Sequence, residues 1–184
     1  HDPIAIQTTA VNDLTAVFDG GEYGITTAIE NITAKVTPSL IGLYSTGLTE
    51  TKGDDLRSAS SKITLPIVYV HTPDFEGGIE QGWAKSINAI IEQLIVAQDT
   101  IDCYKVCLIP HVSMTPIEVE KVKEFIELFG FNVYALPDLS MSLDGFLGEK
   151  QGQLSSGGIS LDEIYALSQC CCVITIGASV QECG

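Results

Sequence analysis

Polar side chains that could transfer protons or bind a metal ion follow several short apolar runs of this 184-residue chain. Two of the three histidines, His71 and His111, stand at such positions. The acidic residues that lie in the same kind of segment are Glu50, Asp54, Asp55 and Asp74. Imidazole and carboxylate groups form catalytic or metal sites when a fold brings them together. The alternative is that these residues only begin loops and helices, which need polar side chains.

The six cysteines could bind metals or carry redox chemistry, and all lie in the second half of the chain: Cys103, Cys107, Cys170, Cys171, Cys172 and Cys183. Neighbouring side chains on a strand point to opposite faces, so the consecutive triplet is not expected to bind one metal ion. The sequence also has no Cys-x-x-Cys pair. We therefore predict plain buried thiols in a reducing compartment.

The sequence lacks the common motifs of nucleotide and hydrolase sites. The glycines of segment 20–24 have the wrong spacing for a dinucleotide fingerprint, and Gly77-Gly78 lacks the lysine of a phosphate-binding loop. No G-x-S-x-G or H-E-x-x-H motif is present. Chemistry therefore has to be argued from the fold that positions the polar residues.

Composition excludes several classes of partner. Nine Lys and Arg against 24 Asp and Glu give a formal charge of −15, so we expect neither nucleic acid nor an anionic membrane as a partner. No run approaches the roughly 20 apolar residues of a membrane helix, and no signal peptide opens the chain. We expect a cytoplasmic protein. Because the chain begins at His1 without a methionine, we also expect a piece of a longer polypeptide.

Short continuous apolar runs alternate with helical patterns along the chain. The predicted strands are residues 40–44, 67–70, 106–109, 133–136 and 172–176, with 4–8 as a possible sixth. Runs without alternation are typical of parallel strands that helices cover on both faces. The rhythm predicts an α/β fold of the Rossmann-like, doubly wound class with a mainly parallel sheet. Polar segment 96–104 is the plausible internal boundary, giving a first lobe at 1–96 and a second at 97–184.

Helix signals support this interpretation. A 3.6-residue apolar period runs from Ile25 to Val36 and another from Ile87 to Ile95. Thr115-Pro116-Ile117-Glu118 and Ser160-Leu161-Asp162-Glu163 have the pattern of capping boxes at helix starts. The apolar stripe expected after the first box is Val122, Phe125, Ile126 and Phe129. We expect Ile87, Ile91, Val122 and Phe125 to be buried beneath the helices.

Three segments together resemble nitrogenase component 1-type proteins. They are residues 45–55 (STGLTETKGDD), 71–83 (HTPDFEGGIEQGW) and 136–145 (LPDLSMSLDG), and residues 6–12 and 156–158 fit as well. Within that family they look most like the N-type subunit of the scaffold on which the iron–molybdenum cofactor matures. The resemblance spans nearly the whole chain, and its specificity lies in the combination of segments.

The resemblance also separates a scaffold from a catalytic component. In the catalytic β subunit of this family, the position matching Gly47 is a cysteine ligand of a metal cluster, and the position matching Asp74 is a serine that can also bind it. Glycine has no thiolate with which to bind iron. The resemblance therefore implies a scaffold subunit that is not catalytic by itself and binds no cluster as this fragment alone.

The resemblance further implies the complex to which such a fragment belongs. It implies pairing with an E-type scaffold subunit in a heterotetramer, interaction with the nitrogenase iron protein, and an iron–sulfur cluster and cofactor precursor held by the full complex. Thr46, Gly47, Asp74 and Phe75 are expected to face the cluster or the partner without being ligands. For Phe75 the alternative is a core side chain behind the Pro73-Asp74 turn.

Two other functions stay open at this stage. One is a catalytic nitrogenase-like oxidoreductase subunit of the β type, which would require a cysteine where Gly47 stands. The other is a free-standing module that binds a small molecule and has a complete ligand cleft without a partner.

Overall fold

The computed structural model describes residues 20–52, 57, 63–140 and 157–184, which belong to two compact units, residues 4–78 and 79–184. The possible first strand at 4–8 and the acids Asp54 and Asp55 lie outside the described residues. Within the described part of the chain, no helix is long and apolar enough to cross a lipid bilayer.

The first unit contains a two-stranded parallel sheet. In chain order its elements are α1 (Gly20–Thr33), β1 (Ile41–Tyr44), α2 (Gly47–Lys52) and β2 (Ile67–Val70). Ile41 lies opposite Ile67 and Tyr44 opposite Val70. Ile25 and Ile29 of α1 pack with Ile41 in the core, so the apolar period of this helix faces the sheet as predicted.

The second unit contains a three-stranded parallel sheet in the order β4-β3-β5. Its elements are α3 (Ile79–Leu94), β3 (Asp102–Ile109), α4 (Pro116–Glu127), β4 (Asn132–Ala135), α5 (Leu161–Tyr165), a 3-10 helix (Ala166–Gln169), β5 (Cys170–Thr175) and a second 3-10 helix (Ala178–Cys183). Leu108 and Ile109 of the central strand are fully buried. The predicted α/β class with parallel strands is confirmed.

The division between the units differs from the predicted lobes. The predicted boundary follows residue 96, whereas the compact units divide at Gly78 and Ile79. Helix α3 packs on the second 3-10 helix, and Cys183 of that 3-10 helix donates its thiol to the carbonyl of Ala84 at 3.7 Å. Packing therefore places α3 with the strands that follow it.

The side chains of α4 that are buried differ in part from the predicted apolar stripe. Val119 and Ile126 are buried and Val122 is partly buried, but Phe125 and Phe129 are exposed, so their predicted burial is wrong. One face of a helix covers the sheet; Phe125 lies outside that face, and Phe129 lies in the turn after the helix. On α3, Ile87 is buried and Ile91 is partly buried, in agreement with the prediction.

The cysteines are less buried than predicted. Cys107 and Cys183 are buried, but Cys103, Cys171 and Cys172 are exposed, and all six thiols are free. The exposed pair Cys171 and Cys172 belongs to β5, which lies at one end of the strand order of its sheet. An end strand has a neighbour on one side only, so fewer atoms cover its side chains.

Candidate functional site

The carboxyl ends of β1 and β2 lie side by side because the two strands are parallel. Ser45, which is buried, joins the two loops that follow them. The backbone N–H of Thr72 donates to Ser45 Oγ at 3.0 Å, and the Thr72 hydroxyl donates to the Ser45 carbonyl at 2.9 Å. This role of Ser45 was not predicted from the sequence, although its position directly after an apolar strand could have indicated it.

Gly47 and Asp74 come into close contact across these loops. A Cβ atom placed on Gly47 would lie far inside van der Waals distance of Asp74 Oδ1, and 3.3 Å from Phe75 Cδ1. Gly47 is buried, whereas Asp74 is exposed. Any side chain at position 47 would therefore have to displace the carboxylate of Asp74. We call Thr46, Gly47, Asp74 and Phe75 the strand-end cluster.

The other two members of the strand-end cluster are exposed. Phe75 has 68% of its surface accessible, so the alternative that it fills the core behind the turn is wrong. Thr46 is exposed as well, and its backbone N–H donates to Thr49 Oγ1 of α2 at 2.8 Å. This hydrogen bond fixes the first turn of the short helix and with it the position of Gly47.

His71 and Glu50 form a close pair beside the strand-end cluster. His71 Nδ1 lies 2.5 Å from Glu50 Oε1, and the His71 side chain is about half exposed. The ring of Tyr69 meets the imidazole edge-on at a centroid distance of 6.1 Å. Both residues belong to the larger group of histidines and acids that was one interpretation of the sequence.

His111 belongs to the second unit and has its own partners there. Ser113 Oγ lies 2.6 Å from His111 Nδ1, and the backbone N–H of Ser113 donates to the same nitrogen at 3.2 Å. Glu80 Oε2 lies 3.6 Å from Nε2. Gly177 has φ of 109°, and a Cβ there would lie 2.6 Å from the imidazole. These contacts orient the ring within its own unit.

One interpretation of the sequence was a catalytic or metal group that includes both histidines and several acids. Among the described residues, no set of three or more His, Cys, Asp or Glu side chains is placed to hold a metal ion. His71 and His111 each lie near a carboxylate within their own unit.

A third polar group follows β4. Asp138 Oδ2 accepts a hydrogen bond from Lys123 Nζ of α4 at 2.5 Å, and Oδ1 accepts from the Ser140 backbone N–H at 3.0 Å and from its hydroxyl. Burial alone would raise the pKa of Asp138, but the hydrogen bonds from Lys123 and Ser140 outweigh burial and hold that pKa below its usual value. This ion pair fixes the loop after β4 to helix α4.

Parallel strands with polar residues at their ends are what the component 1-type resemblance implies. The comparison with family models agrees, since residues 1–184 match the nitrogenase component 1-type oxidoreductase family. The chain belongs to this family. A solved structure titled "Nitrogenase Cp1 at pH 6.5" has the same fold, with a TM-score of 0.88 and 24% identity over 96% of this chain and 40% of that chain.

Several similar curated proteins carry the name nitrogenase iron-molybdenum cofactor biosynthesis protein NifN. The protein from Bradyrhizobium diazoefficiens is 38% identical over 98% of this chain and 41% of its own length. That from Rhodobacter capsulatus is 36% identical with the same coverage, and that from Klebsiella pneumoniae is 31% identical over 99% of this chain and 42% of its own. The chain thus spans about two fifths of the relatives that it matches.

Proposed function

We propose that this chain is part of a scaffold subunit for iron–molybdenum cofactor biosynthesis, which positions clusters and docks partners without catalysing a reaction itself. The observation that carries the proposal is the similarity to NifN proteins along 98% of the chain, at 38% and 36% identity for two of them. The name of those relatives states a role in biosynthesis of the iron–molybdenum cofactor.

The geometry of Gly47 supports a scaffold over a catalytic β-type chain. The resemblance places a cysteine ligand at this position in the catalytic subunit, and iron–sulfur clusters are held by thiolates. Here the position has no side chain, and the carboxylate of Asp74 occupies the space into which one would extend. Glycine at position 47 leaves space for the carboxylate at position 74, and a cysteine at position 47 would have no space beside that carboxylate. This arrangement favours a loop without a thiolate ligand.

The strand-end cluster is proposed as a surface that faces a metal cluster or a partner subunit. An exposed aromatic side chain leaves apolar area in water, and this area is buried when a ligand or another protein covers the ring. Phe75 is such a side chain, and it lies directly beside Gly47 and Asp74. None of the four residues is proposed as a metal ligand.

The proposed partners are those that the resemblance implies. They are an E-type subunit, with which the longer polypeptide would form a heterotetramer, and the nitrogenase iron protein. The iron–sulfur cluster and the cofactor precursor would be held by the complex, and the whole complex would be cytoplasmic. The charge of −15 agrees with protein partners and disfavours nucleic acid and anionic membranes.

The test is a Phe75→Ala variant in the full-length polypeptide, co-expressed with its E-type subunit. We expect less co-purified E-type subunit or less iron per complex, with a melting temperature within about 2 °C of the parent, because little of Phe75 is buried in its own unit. Tyr104→Ala is the matched control, since Tyr104 is an exposed aromatic of the second unit. Unchanged association and iron content in Phe75→Ala would contradict the proposal for this surface.

A further inference from the structure

Glu50 and His71 join the two segments that carry the strand-end cluster. Glu50 lies in α2, whose first residue is Gly47, and His71 lies directly after β2 in the segment that contains Asp74. Their side chains meet at 2.5 Å, between Glu50 Oε1 and His71 Nδ1. This pair and the contact of Gly47 with Asp74 therefore connect the same two segments, about one helical turn apart along α2.

The contacts at the base of these segments hold only the start of α2. Ser45 and Thr72 share two hydrogen bonds there, and the backbone N–H of Thr46 donates to Thr49 Oγ1. Helix α2 has six residues, and so short a helix depends on its tertiary contacts to keep its position. Glu50 supplies a further contact between this helix and the segment after β2, beyond the base.

The chemistry of the pair suits a contact with a fixed direction. A carboxylate only accepts hydrogen bonds, and an imidazole can donate from Nδ1 in both its neutral and its charged form. The ring of Tyr69 meets the imidazole edge-on and limits its rotation. The Glu50 side chain is 26% exposed, so water competes less for this carboxylate than for a fully exposed one.

We infer that Glu50 and His71 are positioning residues of the strand-end cluster. Their contact fixes α2 against the segment after β2, and this sets how Gly47 and Phe75 are presented to whatever faces them. Neither residue is assigned a contact with a partner or a metal. The inference rests on the proposed function, because the presentation of this surface matters only if a partner or a metal cluster faces it.

The test uses the full-length polypeptide co-expressed with its E-type subunit, with fluorophenylalanine at position 75 alone as an NMR reporter. In Glu50→Ala we expect the fluorine resonance to shift and sharpen, because the ring gains freedom, and the co-purified E-type subunit to fall about threefold. Glu50→Gln should restore both readouts, since its side-chain oxygen still accepts from His71 Nδ1. A loss of stability alone would lower the melting temperature without this rescue.

A second variant and a control complete the test. His71→Ala should act like Glu50→Ala, and E50A/H71A should lose no more than the larger single loss, because all three remove one contact. Glu30→Ala is the matched control, since it removes the same charge from an exposed position on α1 of the same unit, and it should change neither readout.

An unchanged fluorine resonance in Glu50→Ala would overturn the inference, and so would an equal change in Glu30→Ala. Failure of the proposed function gives a different result. Normal association and iron content in Phe75→Ala would contradict the proposed surface, whereas the fluorine comparison would still decide whether the pair of Glu50 and His71 positions the ring.

Discussion

Gly47 and Asp74 share one space at the ends of β1 and β2, so a change at either position acts on the other. The carboxylate of Asp74 lies where a side chain at position 47 would begin. Because Asp74 is exposed, its side chain can rotate into water to relieve a clash. Phe75 Cδ1 would lie 3.3 Å from a Cβ atom at position 47 and is a second close contact for any side chain there. This coupling can be measured directly.

We expect Gly47→Ala to lower the free energy of unfolding by about 1 kcal/mol, because the methyl group overpacks against Asp74 and Phe75. In an Asp74→Ser background the loss should shrink by at least about 0.5 kcal/mol, a coupling measured by urea denaturation of the four proteins. Gly82→Ala is the control, since a Cβ there meets no atom within 4 Å, and in a helix it should stabilise slightly. A loss of the same size with serine at position 74 would contradict the shared-space argument.

The ion pair of Asp138 and Lys123 gives a prediction about pH. Because the pKa of Asp138 is held below its ordinary value in the folded chain, its contribution to stability is present above the unfolded pKa. That contribution is lost as the pH falls through the folded pKa. Asp138→Asn should therefore cost about 2 kcal/mol near neutral pH and progressively less below about pH 4.

The measurement for this prediction is urea denaturation of parent and variant between pH 3 and pH 7. Glu124→Gln is the control, because Glu124 pairs with Lys121 at 2.6 Å on the exposed side of the same helix. Exposed pairs contribute about 0–1 kcal/mol, so this variant should change little at any pH. A difference between Asp138→Asn and the parent that stays constant down to pH 3 would show that the carboxylate charge is not what stabilises the loop.

At the scale of elements, the sequence predicts strands better than helix faces. The five strands appear within a few residues of the predicted runs because continuous apolar segments have few alternatives to a covered sheet. The period from Ile25 to Val36 extends three residues past α1, which ends at Thr33. The backbone N–H groups of Ala34 and Val36 still donate to the carbonyls of Glu30 and Ile32, both at 2.9 Å, so the turn after α1 keeps part of the helical hydrogen bonding.

Helix α4 shows why side-chain burial is harder to predict than helix position. Its capping box forms as expected, with Glu118 Oε2 accepting from the Thr115 backbone N–H at 2.7 Å and from its hydroxyl at 2.8 Å. The apolar residues after the capping box form a sector wider than the face that the sheet can bury, so Phe125 and Phe129 remain exposed. Which part of a broad apolar sector faces the core depends on the neighbouring element.

Strand β5 leads to a prediction about thiol reactivity. Cys103, Cys171 and Cys172 are exposed, whereas burial raises the pKa of Cys107 to about 12. At pH 8 Cys107 would therefore be almost entirely a thiol, whereas the thiolate is the form that reacts with alkylating reagents. We expect maleimide to label the three exposed cysteines at least about tenfold faster than Cys107 and Cys183.

Peptide mass spectrometry after timed labelling checks this order. Labelling in urea is the control, because unfolding exposes all six cysteines and should make their rates similar. Fast labelling of Cys107 in the folded protein would show that β3 is less well covered than its position at the centre of the sheet implies.

At the scale of the whole molecule, the candidate site could be predicted in part from residue order and in part only from the fold. The strand-end positions of Gly47 and Asp74 follow from parallel strands, and so does the proximity of Glu50 and His71. The contact of His111 with Glu80 could not be foreseen, because Glu80 belongs to a helix that packing assigns to the second unit. Contacts between elements far apart in the sequence depend on packing that residue patterns do not encode.

The chain as a whole is predicted to bind no iron–sulfur cluster alone. Gly47 offers no thiolate, and the described residues hold no group of three metal-binding side chains. Anaerobic incubation with iron and sulfide, followed by desalting, should leave no visible cluster absorbance. A stoichiometric cluster that disappears when Cys170, Cys171 and Cys172 are changed to serine would contradict this prediction.

The single tryptophan of the chain gives the second unit a spectroscopic reporter of its own. Trp83 of α3 donates its indole N–H to the carbonyl of Pro110, directly after β3, at 2.9 Å. Indole emission shifts to longer wavelength when such a partly buried ring becomes solvated, so separation of α3 from the end of β3 would be visible as a red shift. Residues 4–78 contain no tryptophan and would contribute no such signal. Emission compared with circular dichroism during denaturation would therefore reveal whether the two units unfold together or one after the other.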